Sequence, residues 1–367
     1  MKVAILVPGG VDRSGTERVI PCLLWLVERL AASDQVHIFA LSQVPRPGRW
    51  PLLGATVHNA GARPRRLRSL AQMIAEHRRG AFDVVHAWWA AGPGAVGAAF
   101  SRITKVPLLV TLPGGDLVAF PEIGYGARLS ATGRMWTRFA LSAADLVSAP
   151  SEWMRQEALG FGIDAIRLPL GVALDRWPVS PPRRRDPLSP IRLVHVANLN
   201  PIKDQSTLLL AMAQLRERGV EFELDVVGFD TLGGAVQRQC SELGIDGRVR
   251  FHGFLPQPST RPLVEAADLL VMTSLHETIP MVLAEAAVAG VPTVGTAVGQ
   301  IADWAPDAAF AVPVRDPAAL AGSIESLGRD EERRLAVAAE AHRRAIAENA
   351  DVTAARTRAV YESLRTQ

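Results

Sequence analysis

Two glutamates frame a short apolar segment in the second half of the chain. Glu277 precedes this segment, and Glu285 is the only charged residue inside it. Proline is favoured in the first turn of a helix, so a helix is predicted to begin near Pro280. The backbone N–H groups of Met281 and Val282 would then be free at the positive end of the helix dipole, which favours a bound anion.

The carboxylate of Glu285 is unusual in an apolar helix, because burying a carboxylate is costly unless it accepts hydrogen bonds. Two adjacent hydroxyl groups of a ribose could satisfy it together. Glu277 could accept hydrogen bonds from a sugar attached to the phosphates. The alternative is that Glu277 only begins the helix and Glu285 lies on a narrow solvated stripe. The spacing alone leaves both interpretations open.

Composition narrows the class of protein. The chain has 367 residues, of which 48% are hydrophobic, which is enough for two domains of ordinary size. Its 2 cysteines lie far apart in the sequence, so neither a disulfide framework nor a zinc site is expected, and a cytoplasmic location fits best. The net charge of +3 is too small to indicate nucleic-acid binding. No stretch is apolar for long enough to predict a membrane span.

Strand and helix patterns alternate in both halves of the chain, which predicts an α/β protein with two parallel sheets covered by helices. The Pro- and Arg-rich segment 178–190 lacks periodicity and is predicted to be a linker with solvated arginines. An N-terminal domain over residues 1–177 and a C-terminal domain over 191–352 follow. Ligands of such sheets bind beyond the carboxyl ends of the strands, and a cleft between two domains would be a natural site.

The stretch around the two glutamates and seven others, in the expected order, resemble the family 4 retaining glycosyltransferases of the GT-B fold. The most specific surrounds the two glutamates, where Glu277, Pro280, Glu285, Gly290 and Pro292 match the family pattern. Others include "GTERVIPCLLWLVERLA", "LPLGVALDRW" and "LVHVANLNPIKDQSTLLLAM". The resemblance covers nearly the whole chain. It implies two Rossmann-like doubly wound domains with an inter-domain cleft, and a final helix over about 353–367 that packs back on the first domain.

The resemblance also implies a reaction. A sugar would move from a nucleoside diphosphate sugar, of the UDP or GDP type, to a carbohydrate, lipid-linked or small-molecule acceptor with its anomeric configuration retained. No cofactor and no metal are expected, because the chain has no Asp-x-Asp sequence and a lysine with a helix N-terminus can replace the metal. Two alternatives stay open: a catalytically weak nucleotide-sugar-binding protein on the same scaffold, and another GT-B enzyme such as a sugar-nucleotide epimerase.

Donor-binding residues can be carried over from the family by position. Lys203 would face the donor diphosphate and stabilise the leaving nucleotide, and Glu277 would hold the donor sugar, so these two are the candidate catalytic residues. Glu285 would hold the ribose, and the amides of Met281 and Val282 would contact phosphate. The remaining donor-binding candidates are Gly15, Thr16, Asn198, Arg250, Phe251, Thr278 and Ile279.

Some of these candidates have a more specific expected position. Gly15 and Thr16 would approach the phosphates from the first domain, at the start of a helix predicted from about Thr16 to Ala32. Backbone near Arg250 and Phe251 would border the base. These roles come from the resemblance and not from the spacing of the residues.

The chain departs from the family at four positions. Thr278 stands where the residue after the first glutamate is usually glycine. Asn198 stands where many members carry an arginine, so stabilisation of the leaving group is expected to be weaker. Ser14 replaces the first glycine of a Gly-Gly pair. Pro113 replaces a histidine that often precedes the acceptor loop, which puts histidine-assisted handling of the acceptor in doubt.

The acceptor candidates lie in the first half of the chain. Asp116 follows the "TLPGG" turn and is expected to line the acceptor side. His86 is predicted at a strand end, and Trp88 or Trp89 could stack on a sugar face, although packing in a loop is the commoner role of tryptophan. The basic segment 63–79 is predicted to be a helix that either contacts an anionic membrane peripherally at its inner face or is only a solvated surface.

Overall fold

The computed structural model describes residues 1–366, which form two compact units. The first unit comprises Met1–Gly171 together with the chain from Ala350 onward, and the second comprises Val172–Asn349. Gln367, the last residue of the predicted final helix, lies outside the described residues. Within the described part of the chain, no helix combines the length and the apolar character needed to cross a bilayer.

The first unit is built on an eight-stranded sheet. Its elements up to Gly171 are β1 (Lys2–Val7), α1 (Pro21–Ala31), β2 (Gln35–Ala40), β3 (Gly48–Leu52), β4 (Ala55–Asn59), α2 (Arg65–Arg79), β5 (Val84–Trp88), α3 (Ala95–Thr104), β6 (Leu108–Thr111), α4 (Ala131–Ala143), β7 (Leu146–Ala149), α5 (Glu152–Gly160) and β8 (Ala165–Arg167). The strand order is β3-β4-β2-β1-β5-β6-β7-β8. All neighbouring strands run parallel except β3, which is antiparallel to β4.

The second unit has a six-stranded sheet in which every neighbouring pair is parallel. Its elements are β9 (Ile191–Val196), α6 (Gln205–Glu217), β10 (Phe222–Val227), α7 (Ala235–Glu242), β11 (Val249–Gly253), α8 (Gln257–Ala266), β12 (Leu269–Met272), α9 (Met281–Val288), β13 (Thr293–Thr296), α10 (Gly299–Trp304), β14 (Phe310–Val312), α11 (Pro317–Arg329) and α12 (Glu331–Ala347). The strand order is β11-β10-β9-β12-β13-β14. This is the 3-2-1-4-5-6 order of the Rossmann fold, with its switch point between β9 and β12.

The final helix, α13 (Ala350–Arg365), returns to the first unit and packs against α1. Arg29 Nε donates a hydrogen bond of 2.5 Å to Asp351 Oδ1. Thr353 Oγ1 donates to Pro169 O at 2.9 Å and accepts from Gly171 N at 2.8 Å. Polar contacts therefore fix both the start of this helix and the point at which the chain leaves the first unit.

Segment 178–190 belongs to the second unit. Arg184 is 66% exposed, as predicted, but the other two arginines are not simply solvated. Arg183 Nη1 lies 3.2 Å from Asp268 Oδ1, and its backbone oxygen accepts from the buried Arg334 at 2.6 Å. Arg185 donates to the backbone oxygen of Gly328 at 2.9 Å. The sequence lacked periodicity here because the contacts are made by individual side chains and not by a regular element.

Several elements differ from those expected from the sequence. The strands β3, β4 and β14 and the helices α5 and α10 were not predicted. β3 contains Pro51, which argues against a central strand but is allowed in this antiparallel edge strand. The first helix begins at Pro21 and not near Thr16, because the preceding residues form a loop closed by a bridge between Val11 and Val19. Proline at the first helical position explains this start.

Candidate functional site

Two donor-side candidates of the second unit, Lys203 and Glu277, meet at the switch point of its sheet. Lys203 lies in the connection that follows β9, and Glu277 lies in the connection that follows β12. These two strands are neighbours whose connections leave in opposite directions, which opens a crevice at the carboxyl edge. The sequence pattern and the sheet topology therefore both indicate the crevice between β9 and β12 as the candidate site.

Lys203 and Glu277 form an ion pair between Nζ and Oε1. Ser274 Oγ also donates to Glu277 Oε1, at 2.8 Å. The side chains of Lys203 and Glu277 are 23% and 13% exposed, so both can be reached from solvent. In these positions the ammonium can bind a phosphate, and the carboxylate can accept a hydrogen bond from a sugar hydroxyl.

The backbone around Lys203 is held from both sides. Thr273 Oγ1 donates to Lys203 O at 2.9 Å, and Leu275 N donates to Ile202 O at 2.8 Å. Asp204 follows in the left-handed conformation and its side chain caps α6. These bonds tie the β9 connection to the β12 connection, so the ion pair lies on a fixed backbone.

The helix α9 presents its N-terminus beside this pair. Met281 and Val282 are its first two residues, whose N–H groups have no acceptor within a helix. Gly299 packs closely behind the preceding loop, where an added Cβ would lie 2.6 Å from the backbone oxygen of Glu277. Thr278 is buried and its backbone oxygen accepts from Gln300 N at 3.0 Å, whereas Ile279 is half-buried.

Glu285 is buried in the second turn of α9 and not on a solvated stripe. Burial raises the pKa of its carboxyl to about 7, and a hydrogen bond from Gln257 opposes this rise. Gln257 Nε2 donates to Glu285 Oε1 at 2.6 Å from the first position of α8. One carboxylate oxygen therefore has a protein donor, which agrees with the requirement that a buried carboxylate be hydrogen-bonded.

Asn198 is exposed, but its side chain is held by a hydrogen bond. Its Oδ1 accepts from Phe229 N at 3.1 Å, and its backbone oxygen accepts from Gln205 Nε2 at 3.1 Å. Gln205 also contacts Nε2 of the buried His195, whose pKa is lowered to about 4 by burial. Asn198 therefore connects the ends of β9 and β10 and brings no charge to the site.

Arg250 and Phe251 lie in the edge strand β11, away from the ion pair. The Arg250 guanidinium points to solvent and lies 3.2 Å from Glu223. Phe251 packs against the core of the unit. Phe229 and Phe254, which follow the ends of β10 and β11, are 60% and 49% exposed and are the large apolar side chains that this edge offers to a planar base.

In the first unit, Gly15 and Thr16 were expected at the N-terminus of α1. They lie instead in the loop before this helix. Gly15 has a φ of 68°, a value that favours glycine. Ser14, which replaces a family glycine, accepts hydrogen bonds on Oγ from the amides of Thr16 and Glu17 at 3.3 and 3.0 Å. The serine thus orders a loop that begins at the carboxyl edge of the sheet.

Asp116 lines a cavity of about 300 Å³ together with Trp89, Gly115, Tyr125 and Ala127. Its side chain is buried, and Oδ1 accepts from Ala90 N at 2.7 Å. Oδ2 has no hydrogen-bond partner within residues 1–366. Burial raises the pKa of this carboxyl to about 7, although backbone amides oppose the rise. A carboxylate between two aromatic side chains can bind a sugar hydroxyl.

His86 and Trp88, the other acceptor candidates, are packed in the interior instead. His86 is 1% exposed, and its two ring nitrogens contact Tyr361 at 2.7 Å and Thr111 at 2.6 Å. Burial lowers its pKa to about 3. Trp88 is also 1% exposed. The structure argues against substrate contact by either residue, because β5 turns both side chains into the core and leaves Trp89 at the cavity.

One group of described residues could share a metal ion: the donor atoms of His37, His58 and Glu76 lie within 4.8 Å of one another. The Glu76 carboxylate already lies 3.4 Å from Lys2 Nζ and 3.1 Å from Arg79 Nη1. A metal would have to compete with these two cations. None of the predicted site residues belongs to this group.

The predicted basic helix is α2, which begins at Arg65 and not at residue 63. Two of its arginines face the protein: Arg68 donates to the backbone oxygen of Ala62 at 2.9 Å, and Arg66 stacks on Trp136 with 4.9 Å to the ring centroid. Leu67 is 70% exposed between them. The other arginines face solvent, as either interpretation of the segment requires.

Sequence reasoning missed three residues that the structure brings to these sites. Gln257 and Ser274 bond to the two glutamates, and Tyr125 lines the Asp116 cavity. Of the two tryptophans that the sequence offered, Trp89 lines the cavity and Trp88 does not, because side chains alternate between the faces of the sheet. Gln257 lies 28 residues from Glu285 and no local pattern connects them.

Comparison with known families agrees with the fold. Residues 19–171 match the model of the glycosyl transferase 4-like domain, and residues 190–330 match that of the glycosyl transferases of group 1. The chain belongs to this family of glycosyltransferases. The match confirms the predicted family and, with it, an enzyme of the glycosyltransferase type.

Curated proteins that are similar to this chain are described as glycosyltransferases. The chain is 28% identical over 227 residues to a putative teichuronic acid biosynthesis glycosyltransferase of Bacillus subtilis, which covers 60% of this chain and 54% of that protein. It is 28% identical over 332 residues to a D-inositol 3-phosphate glycosyltransferase of an Arthrobacter species, with coverages of 80% and 76%. The alignments to the first relatives span about a quarter to about half of their length.

Solved structures share the fold. Sucrose-phosphate synthase from Thermosynechococcus elongatus has a TM-score of 0.84 at 20% identity, with 99% of this chain and 98% of that chain covered. Anabaena HepE in complex with UDP and glucose has a TM-score of 0.77 at 20% identity, with 99% and 100% covered. At this identity the likeness shows the fold alone, and it confirms the GT-B fold class.

Proposed function

We propose that the protein transfers a sugar from a nucleoside diphosphate sugar to a hydroxyl group of an acceptor. The observation that carries the proposal is the arrangement at the switch point of the second sheet. There Lys203, Glu277 and the N-terminus of α9 lie together, with the buried Glu285 one turn further along the helix. Lys203 and the N-terminus of α9 can bind phosphate, Glu277 can bind a sugar, and Glu285 can bind a ribose.

In this proposal the second unit binds the donor. The Lys203 ammonium and the first amides of α9 contact the diphosphate, and no metal ion is needed because these groups offset the charge of the leaving nucleotide. Glu285 accepts hydrogen bonds from the ribose hydroxyls. Glu277 separates from Lys203 when the donor binds and accepts from the sugar. HepE forms complexes with UDP and UDP-glucose, which makes UDP the first nucleotide to test.

The first unit binds the acceptor in this proposal, through the cavity of Asp116, Trp89 and Tyr125. The acceptor oxygen attacks the anomeric carbon on the face from which the nucleotide leaves, and the anomeric configuration is retained. The bond between the anomeric carbon and the phosphate oxygen breaks, the new glycosidic bond forms, and a phosphate oxygen of the leaving group takes the acceptor proton. Lys203 stabilises the negative charge that grows on that leaving group.

A catalytically weak binding protein is the second candidate, because Asn198 brings no charge and its side chain is already bonded to Phe229 N. The two functions are separated by incubating the purified protein with UDP- and GDP-sugars and a set of candidate acceptors, and following release of the nucleotide and the anomeric proton signals by NMR. Release of nucleotide with a retained anomeric centre supports the transferase. Tight nucleotide binding without any turnover favours the binding protein, and an inverted product excludes retention.

A further inference from the structure

His195 is a buried histidine at the point where β9 and β12 separate. The last paired residues of these two strands are Val194 and Leu270, whereas β9 stays paired with β10 through Val196. His195 follows Val194 directly and is 1% exposed, and its ring atom Nδ1 lies 2.9 Å from the backbone oxygen of Val271. The imidazole therefore continues the contact between β9 and β12 beyond their last backbone pair.

The second ring nitrogen of His195 contacts Gln205, the first residue of α6. Gln205 is 2% exposed, and its Nε2 lies 3.2 Å from His195 Nε2 and donates to the backbone oxygen of Asn198 at 3.1 Å. Residues 197–204 connect β9 to α6 and include Lys203, and we call them the Lys203 loop. Asn198 lies near the start of this loop and Gln205 directly follows it. The imidazole and the amide together therefore tie both ends of the Lys203 loop to β12.

These contacts define where the imidazole carries its proton. The backbone oxygen of Val271 can only accept, so Nδ1 of His195 donates. The amide nitrogen of Gln205 is assigned by the backbone oxygen of Asn198 that it faces, and it can only donate, so Nε2 of His195 accepts. Burial lowers the pKa of His195 to about 4, and the ring is therefore neutral at neutral pH, as both contacts require.

The ring also lies within electrostatic reach of the ion pair at the candidate site. Burial is the largest cause of the lowered pKa of His195; the Lys203 ammonium lowers this pKa further, and the Glu277 carboxylate opposes the change. Lys203 lies in the loop that the imidazole ties down, and Glu277 lies in the connection that follows β12. His195 therefore joins the two backbone segments that carry the ammonium and the carboxylate.

We propose that His195 is a positioning residue of the donor site, whose neutral imidazole ties the Lys203 loop to β12 and so places the Lys203 ammonium at the leaving phosphate. The inference rests on the proposed function, because it assigns Lys203 to a leaving diphosphate. His195 itself does not contact the substrate. A displacement of about 1 Å in a catalytic group can lower a rate by about a hundredfold, so a residue behind the site can control turnover.

The first test follows the Lys203 loop directly and does not depend on turnover. His195→Leu introduces an apolar side chain that makes neither hydrogen bond. Amide hydrogen exchange of residues 198–204 in the full chain should become faster in this variant, because the loop loses its tie to β12. His195→Asn can keep a donor for Val271 O, and His195→Gln can keep an acceptor for Gln205. Exchange in these two variants should lie between the wild-type and His195→Leu rates.

The second test asks whether His195 acts through Lys203. His195→Leu should lower kcat by about tenfold and not more, because Thr273 and Leu275 still hold the loop. The affinity for UDP should fall by a smaller factor, since the α9 amides and Glu285 also bind the nucleotide. In a Lys203→Ala background the same substitution should lower kcat no further, because the ammonium that it displaces is absent.

Another histidine of the second unit provides the matched control. His342 in α12 also contacts a backbone oxygen, that of Ala287, through Nδ1 at 3.0 Å. His342→Leu should leave kcat and the exchange of residues 198–204 at their wild-type values. Urea unfolding of each variant shows that it folds and how much stability it loses, so that a general loss of stability is separated from the positioning effect.

Three outcomes overturn the proposal: unchanged exchange of residues 198–204 in folded His195→Leu, an equal loss of kcat in the wild-type and Lys203→Ala backgrounds, and an equal loss of kcat in His342→Leu. If His195→Leu does not fold, His195→Asn and His195→Gln decide by the same measurements. A wild-type protein that binds UDP without turnover counts against the proposed function. The exchange measurement still decides in that case whether His195 holds the Lys203 loop.

Discussion

Gln257 donates a 2.6 Å hydrogen bond to Glu285, so the start of α8 fixes the carboxylate that lies in the middle of α9. The bond leaves the other carboxylate oxygen available and favours the ionised form, against the burial that raises the pKa of Glu285 to about 7. The ionised carboxylate binds donating ribose hydroxyl groups more strongly than the protonated group does. Gln257 is therefore a positioning residue of the proposed donor site.

Substitution of Glu285 tests the ribose contact. Glu285→Ala should weaken UDP or GDP binding by about tenfold or more, because charge-assisted hydrogen bonds to the ribose are lost. Calorimetry measures the affinity, and circular dichroism of the same sample checks that the fold is intact. An unchanged affinity in a folded variant would remove Glu285 from the site.

Substitution of Gln257 tests its positioning role. Gln257→Ala should raise the KM for the donor and move the pH at which nucleotide affinity is half-maximal upward, because the carboxylate loses the donor that opposes its raised pKa. The affinity itself should rise with pH through about 7, since the ionised carboxylate accepts hydrogen bonds on both oxygens and more strongly than the protonated group does. The measurement is nucleotide affinity against pH for both proteins. A parallel loss at every pH would show that Gln257 acts only through packing.

Lys203 is expected to act on the transition state more than on the ground state. Lys203→Ala should lower kcat by a larger factor than it lowers UDP affinity, because charge on the leaving group grows as the bond breaks. Glu277, released from its ion pair in this variant, remains free to bind the sugar. The two factors come from steady-state kinetics and calorimetry. Equal factors would make Lys203 a tether for the diphosphate.

The stability of the protein should depend on the ionisation of Glu285. The unfolded chain keeps a pKa near 4.5, whereas the folded protein has a value of about 7. Between these values the folded state holds the extra proton, so the free energy of unfolding should fall as pH rises and should level off above pH 7. Glu285→Gln should flatten this decrease in urea unfolding. The exposed Glu242→Gln is the control and should keep the wild-type slope.

His86 is expected to serve the structure of the first unit and not the acceptor. Tyr361→Phe leaves one ring nitrogen of the buried His86 without its 2.7 Å partner, which should cost about 1–3 kcal/mol of stability. Thermal or urea unfolding measures this loss. The KM for the acceptor should stay at its wild-type value, and a large change in that KM would return His86 to the acceptor site.

The sequence predicted the donor side better than the acceptor side. Lys203, Glu277 and Glu285 follow strand ends at fixed spacing, and the connection after a parallel strand has to emerge at the carboxyl edge. His86 and Trp88 also lie near a strand end, but the sequence does not show which face of the sheet each side chain takes. Gln257 was missed because its contact with Glu285 joins residues 28 positions apart in the chain, and no local pattern connects them.

The prediction of the fold was limited in the same way to what local sequence patterns show. The alternation of strands and helices predicted two parallel sheets, because buried strands are continuous apolar runs. β3 was missed since Pro51 and exposed polar residues hide an edge strand, and α10 was missed since six residues carry too little periodicity. The arginines of segment 178–190 appeared solvated because ion pairs with Asp268 and Glu332 depend on residues far along the chain.

The hydrogen bond from α13 to β5 sets an order of events during synthesis. Tyr361 is translated 275 residues after His86, and the whole second unit emerges from the ribosome between them. The first unit therefore cannot complete this buried hydrogen bond until the whole second unit has been synthesised.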